Sequence, residues 1–206
     1  MAGRKHADLR EQKKLINMPS LAFLDAEGEV LVKVPFDQRT VASVLDRGRR
    51  AEQYVALRAA VAAGDAKAGA PFLLLQLEEG QLELEAAMER RARVGSIEDA
   101  ALRAAIDALI VDLRISNELR AVGQEELHTL GKRYYEQLQN GPQPSVQVSR
   151  GFYFAILDWA ERERNTVAFE AALADLTRVL AITNPGKPWV DRLLERYRET
   201  LAGMRR

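Results

Sequence analysis

The sequence contains no cysteine and only two histidines, His6 and His128, and each scarcity removes a class of chemistry. Without thiolates there is no disulfide framework, no thiol nucleophile and no cysteine-ligated metal, and the absence fits any redox compartment. The two histidines fall on different predicted helices with no acidic pair at ligand spacing, so neither a metal centre nor a cofactor is expected. An excess of one charge is also missing: 30 Lys and Arg balance 30 Asp and Glu. No global field therefore draws the chain toward nucleic acid or an anionic membrane. No stretch reaches ~18 uninterrupted apolar residues, so no membrane insertion is expected. Met1 to His6 lead into a charged amphipathic stretch, which predicts no signal peptide and a cytoplasmic location, or an exported one if a missing upstream segment carries the signal. HExxH, phosphate-loop, GxGxxG and GxSxG patterns do not occur.

What is present suits a folded chain: 206 residues, 47% of them apolar and 29% charged, are enough for one sizeable domain or two small ones. The β-rich signal is confined to residues 17–34. Leu21 and Phe23, then Val30, Val32 and Val34, alternate with other side chains, and Asp25-Ala26-Glu27-Gly28 between them carries turn chemistry. Gly28 supplies the positive φ such a turn requires. The spacing predicts a β-hairpin. Ala22, Leu24 and Leu31 fill the alternate positions, so both faces are apolar and covering helices are expected on each side.

Met18-Pro19-Ser20 before an apolar strand, then Asp25, a turn with Gly28 and a second apolar strand, resembles the second half of a thioredoxin-like domain. The resemblance covers about the first quarter of the chain. It implies a cis bond before Pro19, a leading helix over Ala7 to Ile16, and a closing helix after the hairpin. The Cys-x-x-Cys part of that family has no counterpart here. Either the chain is a fragment of a thiol-disulfide oxidoreductase lacking its catalytic half, or the half domain is a structural remnant. A plain hairpin with a proline at its entry is the third reading.

After the hairpin everything reads as helix. Asp37 is placed to cap a helix starting near Gln38, whose stripe is Val41, Val44, Leu45, Gly48, Ala51 and Val55, widened by Tyr54, Leu57 and Val61. It is one long helix or two joined near Gly48, ending at Ala63-Gly64-Asp65. Further breaks fall at Glu79-Gly80, Gly95-Ser96, Gly123, residues 140–144, Asn165 and Asn184-Pro185-Gly186. Ser96-Ile97-Glu98-Asp99 has the outline of a capping box, opening a stripe at Leu102, Ala105, Ile106, Leu109, Ile110 and Leu113. Leu127-x-x-Leu130-Gly131-x-x-Tyr134 resembles the first helix of a tetratricopeptide repeat, although Pro142 and Pro144 fall where the second helix of such a repeat would run. The predicted fold is mainly α: residues 1–62 form a partial thioredoxin-like unit of helix, β-hairpin and long helix, and residues 63–206 form an array of antiparallel helical hairpins.

Candidate chemistry is sparse. Glu78-Glu79, Glu125-Glu126 and Asp158 with Glu161 read as solvated faces. Asp107 and Asp112, near Arg103 and Arg114, read as ion pairs or as general acids. Arg47-x-Arg49-Arg50 and Arg90-Arg91-x-Arg93 are basic, but acidic neighbours dilute them and no aromatic is interleaved for base stacking, so no nucleic-acid partner is expected. Aromatics gather at Tyr134-Tyr135 and at Phe152-Tyr153-Phe154 with Trp159; core packing or a partner groove accounts for them. On the groove reading, Tyr134, Tyr135, Tyr153 and Trp159 receive another polypeptide, with Arg133 and Arg162 as anchors for its carboxylates. The function expected is then a non-catalytic interaction or scaffold module, and the open hairpin edge offers a route to homo-oligomers.

Overall fold

A computed structural model describes residues 21–36 and 39–206. The predicted helix over Ala7 to Ile16, Pro19 with its peptide bond, and the predicted cap Asp37 lie outside them. Among the described residues the chain is mainly helical, with one antiparallel two-stranded sheet of β1 (Leu21–Leu24) and β2 (Val30–Val34). Eight helices follow: α1 (Val41–Ala62), α2 (Gly69–Glu78), α3 (Leu84–Val94), α4 (Ala100–Val122), α5 (His128–Asn140), α6 (Val146–Arg162), α7 (Thr166–Thr183) and α8 (Pro188–Met204). No helix among the described residues is long and apolar enough to cross a membrane.

The chain divides into two compact units between Arg103 and Ala104, not at the expected 62/63 boundary. The reason lies in α2, whose Phe72 and Leu75 share a core with Leu31 and Val32 of β2 and with Ala51 and Tyr54 of α1. The hairpin turn forms as its residues suggest. Asp25 Oδ1 accepts from the amides of Glu27 (3.1 Å) and Glu29 (2.7 Å), and Gly28 takes φ +79°. Register runs Leu21 with Val34 and Phe23 with Val32, and slips between Phe23 and Leu24. The two strands are covered unequally: Leu31 on one face of β2 and Val32 and Val34 on the other are all buried, while Leu21 and Leu24 of β1 stay exposed. Helix α1 begins at Val41, capped by Thr40 in a box with Ser43, rather than near Gln38. Its buried side chains are Ala51 and Tyr54, and a Cβ at Gly48 would lie 3.4 Å from the Phe23 ring, while Val41, Leu45 and Val55 of the predicted stripe remain exposed. A two-stranded hairpin is narrower than the stripe it meets.

Side-chain hydrogen bonds tie the first unit together. Gln81 Nε2 donates to the carbonyls of Leu31 (2.6 Å) and Val30 (3.2 Å), and the Tyr54 hydroxyl donates to Gln81 Oε1. Gln76, itself buried, donates to that hydroxyl at 3.2 Å and accepts from Arg90. Glu79 is not on a solvated face: its side chain is 4% exposed and is held by Arg47 (3.1 Å) and Arg50, which also reaches Glu78. Both basic clusters of the sequence thus turn largely onto the protein, Arg91 donating to the Gly95 carbonyl and Arg93 pairing with Glu89.

In the second unit α5 packs on α6, α6 on α7 and α7 on α8, around a core that includes Ile115, Phe152, Ile156, Phe169, Leu176 and Leu180, all fully buried. The start of α4, just before this unit, is capped by Asp99, whose carboxylate accepts from the amides of Ala101 and Leu102; Ser96 is not the cap. Side-chain oxygens ahead of a helix compete for its free amides, and Asp99 lies nearer to them than Ser96. Asp112 does not pair with Arg114 but accepts from the Ser145 amide at 2.8 Å, and Arg114 donates to Gln137. The contact that sets the α5–α6 spacing is at Gly131. A Cβ there would lie 2.2 Å from Trp159 Cβ and 2.4 Å from the Ala155 carbonyl oxygen.

Two outcomes follow from these contacts. Gly131→Ala forces α5 off the α6 backbone and is expected to cost about 3 kcal/mol, read as a lowered denaturation midpoint. At the hairpin, the Arg58 hydrogen bond (2.8 Å) first, and the Glu29 amide second, hold the Asp25 carboxyl below the ordinary carboxylate range. A lowered folded value stabilises the turn above the unfolded value of about 3.9 and is lost as pH falls through the folded value. The Glu27 and Glu29 amide resonances should therefore titrate together with a midpoint below that value, and Arg58→Ala should move the midpoint upward.

Candidate functional site

The sequence-predicted binding residues do not converge on one surface. Tyr134 is 1% exposed: its ring stacks on Phe152 at 4.7 Å, and its hydroxyl donates to Glu118 Oε2 at 2.9 Å. Burial first, and the Glu118 bond second, push that phenol well above the ordinary tyrosine range. Arg133 reaches the same Glu118 oxygen at 2.9 Å, so the guanidinium is engaged within the unit. Tyr153 is also buried, edge-on to Phe152 at 5.4 Å, with its pKa raised by burial. These three side chains form core and its rim. Tyr135 and Trp159 are half-buried and lie together, ring centroids 5.9 Å apart, with the Tyr135 hydroxyl accepting from Gln139. Arg162 pairs with Asp158 at 3.1 Å, and His128 Nδ1 lies 3.8 Å from the other oxygen of that carboxylate. Gly28 sits in the hairpin turn of the first unit and Pro19 outside the described residues.

An open cleft of about 590 Å³ lies elsewhere on the second unit, lined by α4, the connection 123–127 and α6. Its construction follows from small and apolar residues at the crossing of α4 and α6. Gly151 lacks a side chain where one would meet Leu119 Cδ1 at 2.6 Å, which lets the leucine lie flat against α6. Leu119, Leu127, Val148 and Phe154 are half-buried, each resting on the core beneath, and make the apolar floor. Around it stand Ser116, Gln124, Gln147, Arg120 and Arg150, the last four exposed. Arg120 occupies the last turn of α4, where a cation suits the helix dipole. Arg150 lies in the second turn of α6. Neither arginine makes a hydrogen bond or ion pair with a described residue.

Chemically the lining is rich in donors: two guanidiniums, two carboxamides and a hydroxyl above aliphatic carbon. It holds no carboxylate, imidazole or thiol that could exchange a proton near neutral pH. The cleft is suited to holding an anionic or carbonyl-bearing group beside an apolar one. Among the described residues no three His, Cys, Asp or Glu side chains gather as a metal site would need.

Sequence reasoning missed this cleft because its two arginines are 30 positions apart and each looks like an isolated surface charge. The one signal was Gly151, a glycine inside a predicted helix, which marks a close approach by a neighbouring element. Comparison with known proteins adds no relative: no protein-family model, no curated protein and no solved structure matches this chain.

Proposed function

We propose that the chain is a non-enzymatic interaction module whose second unit takes a segment of another polypeptide into the α4–α6 cleft. The observation that carries this reading is the cleft's composition, an apolar floor ringed by donors that have no acid or base among them. Apolar floors supply the affinity of such contacts, and donors at the rim fix a peptide's carbonyls and carboxylates in register. The half-buried Tyr135–Trp159 pair offers a secondary surface on α5 and α6. Helical-hairpin scaffolds present side chains in this way, and the packing of Gly131 on Trp159 supports the tetratricopeptide-like reading of α5.

Display selection of random dodecapeptides on the purified chain is the direct test. It should enrich binders that lose about tenfold in affinity, ~1.4 kcal/mol, to Gln147→Trp. That substitution fills the cleft from an exposed position and should leave the melting temperature unchanged. Binders indifferent to Gln147→Trp would place the binding surface elsewhere, and a selection without binders would end the reading.

A further inference from the structure

We infer that the segment received by the cleft is acidic as well as apolar, with carboxylates at Arg120 and Arg150 and an aliphatic or aromatic side chain laid on Leu119, Leu127, Val148 and Phe154. This rests on the cleft being a peptide site, and goes beyond it by specifying the partner's chemistry. The argument is one of charge balance. Several arginines of this unit hold a carboxylate, as Arg133 does with Glu118, Arg162 with Asp158, Arg178 with Asp175 and Arg205 with Glu170, while Arg192 and Arg196 on α8 hold none among the described residues. Arg120 and Arg150 take none among the described residues, and both line the same opening.

The nearby acids do not neutralise them. Glu118, directly before Leu119 on α4, is committed to Tyr134 and Arg133, and Asp112 accepts from the Ser145 amide at the start of α6. Glu125 and Glu126 follow Gln124 in the connection but are not part of the lining. Arg150, in the second turn of α6, and Arg120, in the last turn of α4, present two cations at one opening. An anionic ligand group there gains charge-assisted hydrogen bonds from planar forks of donors. The chain as a whole is neutral, so this is a local field over an apolar floor and not a broad basic surface. A polyanion tracks extended basic stripes with interleaved aromatics, which the cleft does not have; short acidic-apolar peptide fits it better.

The test uses a fluorescent dodecapeptide of alternating glutamate and leucine, its lysine-leucine counterpart, and a single-stranded oligonucleotide of similar length, each titrated against the full chain by anisotropy. The wild type should bind the acidic peptide at least about tenfold more tightly than the basic one, with the difference shrinking as salt is raised. Arg120→Glu with Arg150→Glu should invert that preference while the thermal midpoint stays in place, since both residues are exposed. Equal binding of the two peptides, or a preference that survives the double reversal, overturns the inference. Tighter binding of the oligonucleotide also overturns it. Peptides from the display selection that occupy the cleft without acidic bias would sink the inference alone and leave the peptide-binding reading standing, whereas a selection with no binders would remove both.

Discussion

The second unit depends on how closely α5 can approach α6. Gly131 brings the backbone of one helix against the Trp159 Cβ and the Ala155 carbonyl of the other, at distances no side-chain carbon could occupy. That approach places Tyr134 flat on Phe152 and its hydroxyl on Glu118 of α4, so one missing methyl fixes the relation of three helices. Gly151 does the same on a smaller scale, admitting Leu119 to α6. The cleft is a product of this second contact: its floor is the apolar side of a crossing that would be filled if residue 151 carried a side chain.

The first unit solves a different problem. Two strands cannot bury enough surface to stand alone in water, and here β1 leaves two leucines exposed. Stability comes instead from polar groups that are buried in pairs. Gln81 satisfies two β2 carbonyls, Tyr54 links it to Gln76, and Glu79 gathers two arginines from α1. Buried donors and acceptors of this kind are costly if left single, so the network specifies one docking of the hairpin on α1 and α2. The core of Phe72, Leu75 and Val32 supplies the apolar part.

Much of the fold was legible from local physics. The turn at Asp25 to Gly28, the breaks at Gly64, Gly80, Gly95 and Gly123, and the stripes of α6, α7 and α8 are short-range effects of backbone permissiveness and of 3.6-residue periodicity. Helix starts were read less well. Asp99 displaced Ser96 and Thr40 stood where Asp37 was expected, because several residues in each stretch have a side-chain oxygen and only the backbone path decides which one faces the free amides. The exposed Val41, Leu45 and Val55 show the same limit for periodicity: a stripe records which face is apolar, not how wide its partner is.

The sequence by itself determined the mainly helical class with its N-terminal hairpin, the neutrality of the chain, and the exclusion of thiol chemistry, because these depend on residue identity and on neighbours within a turn or two. Only the tertiary structure decided that Tyr134 and Tyr153 are core, that Glu79 is buried between arginines, and that Arg120 and Arg150 stand over one apolar floor. An aromatic ring or a guanidinium carries the same linear signature whether it is packed inside or presented to a partner. Which it becomes depends on the distance to residues far along the chain, and in the second unit that distance is set where glycine lets two helices touch.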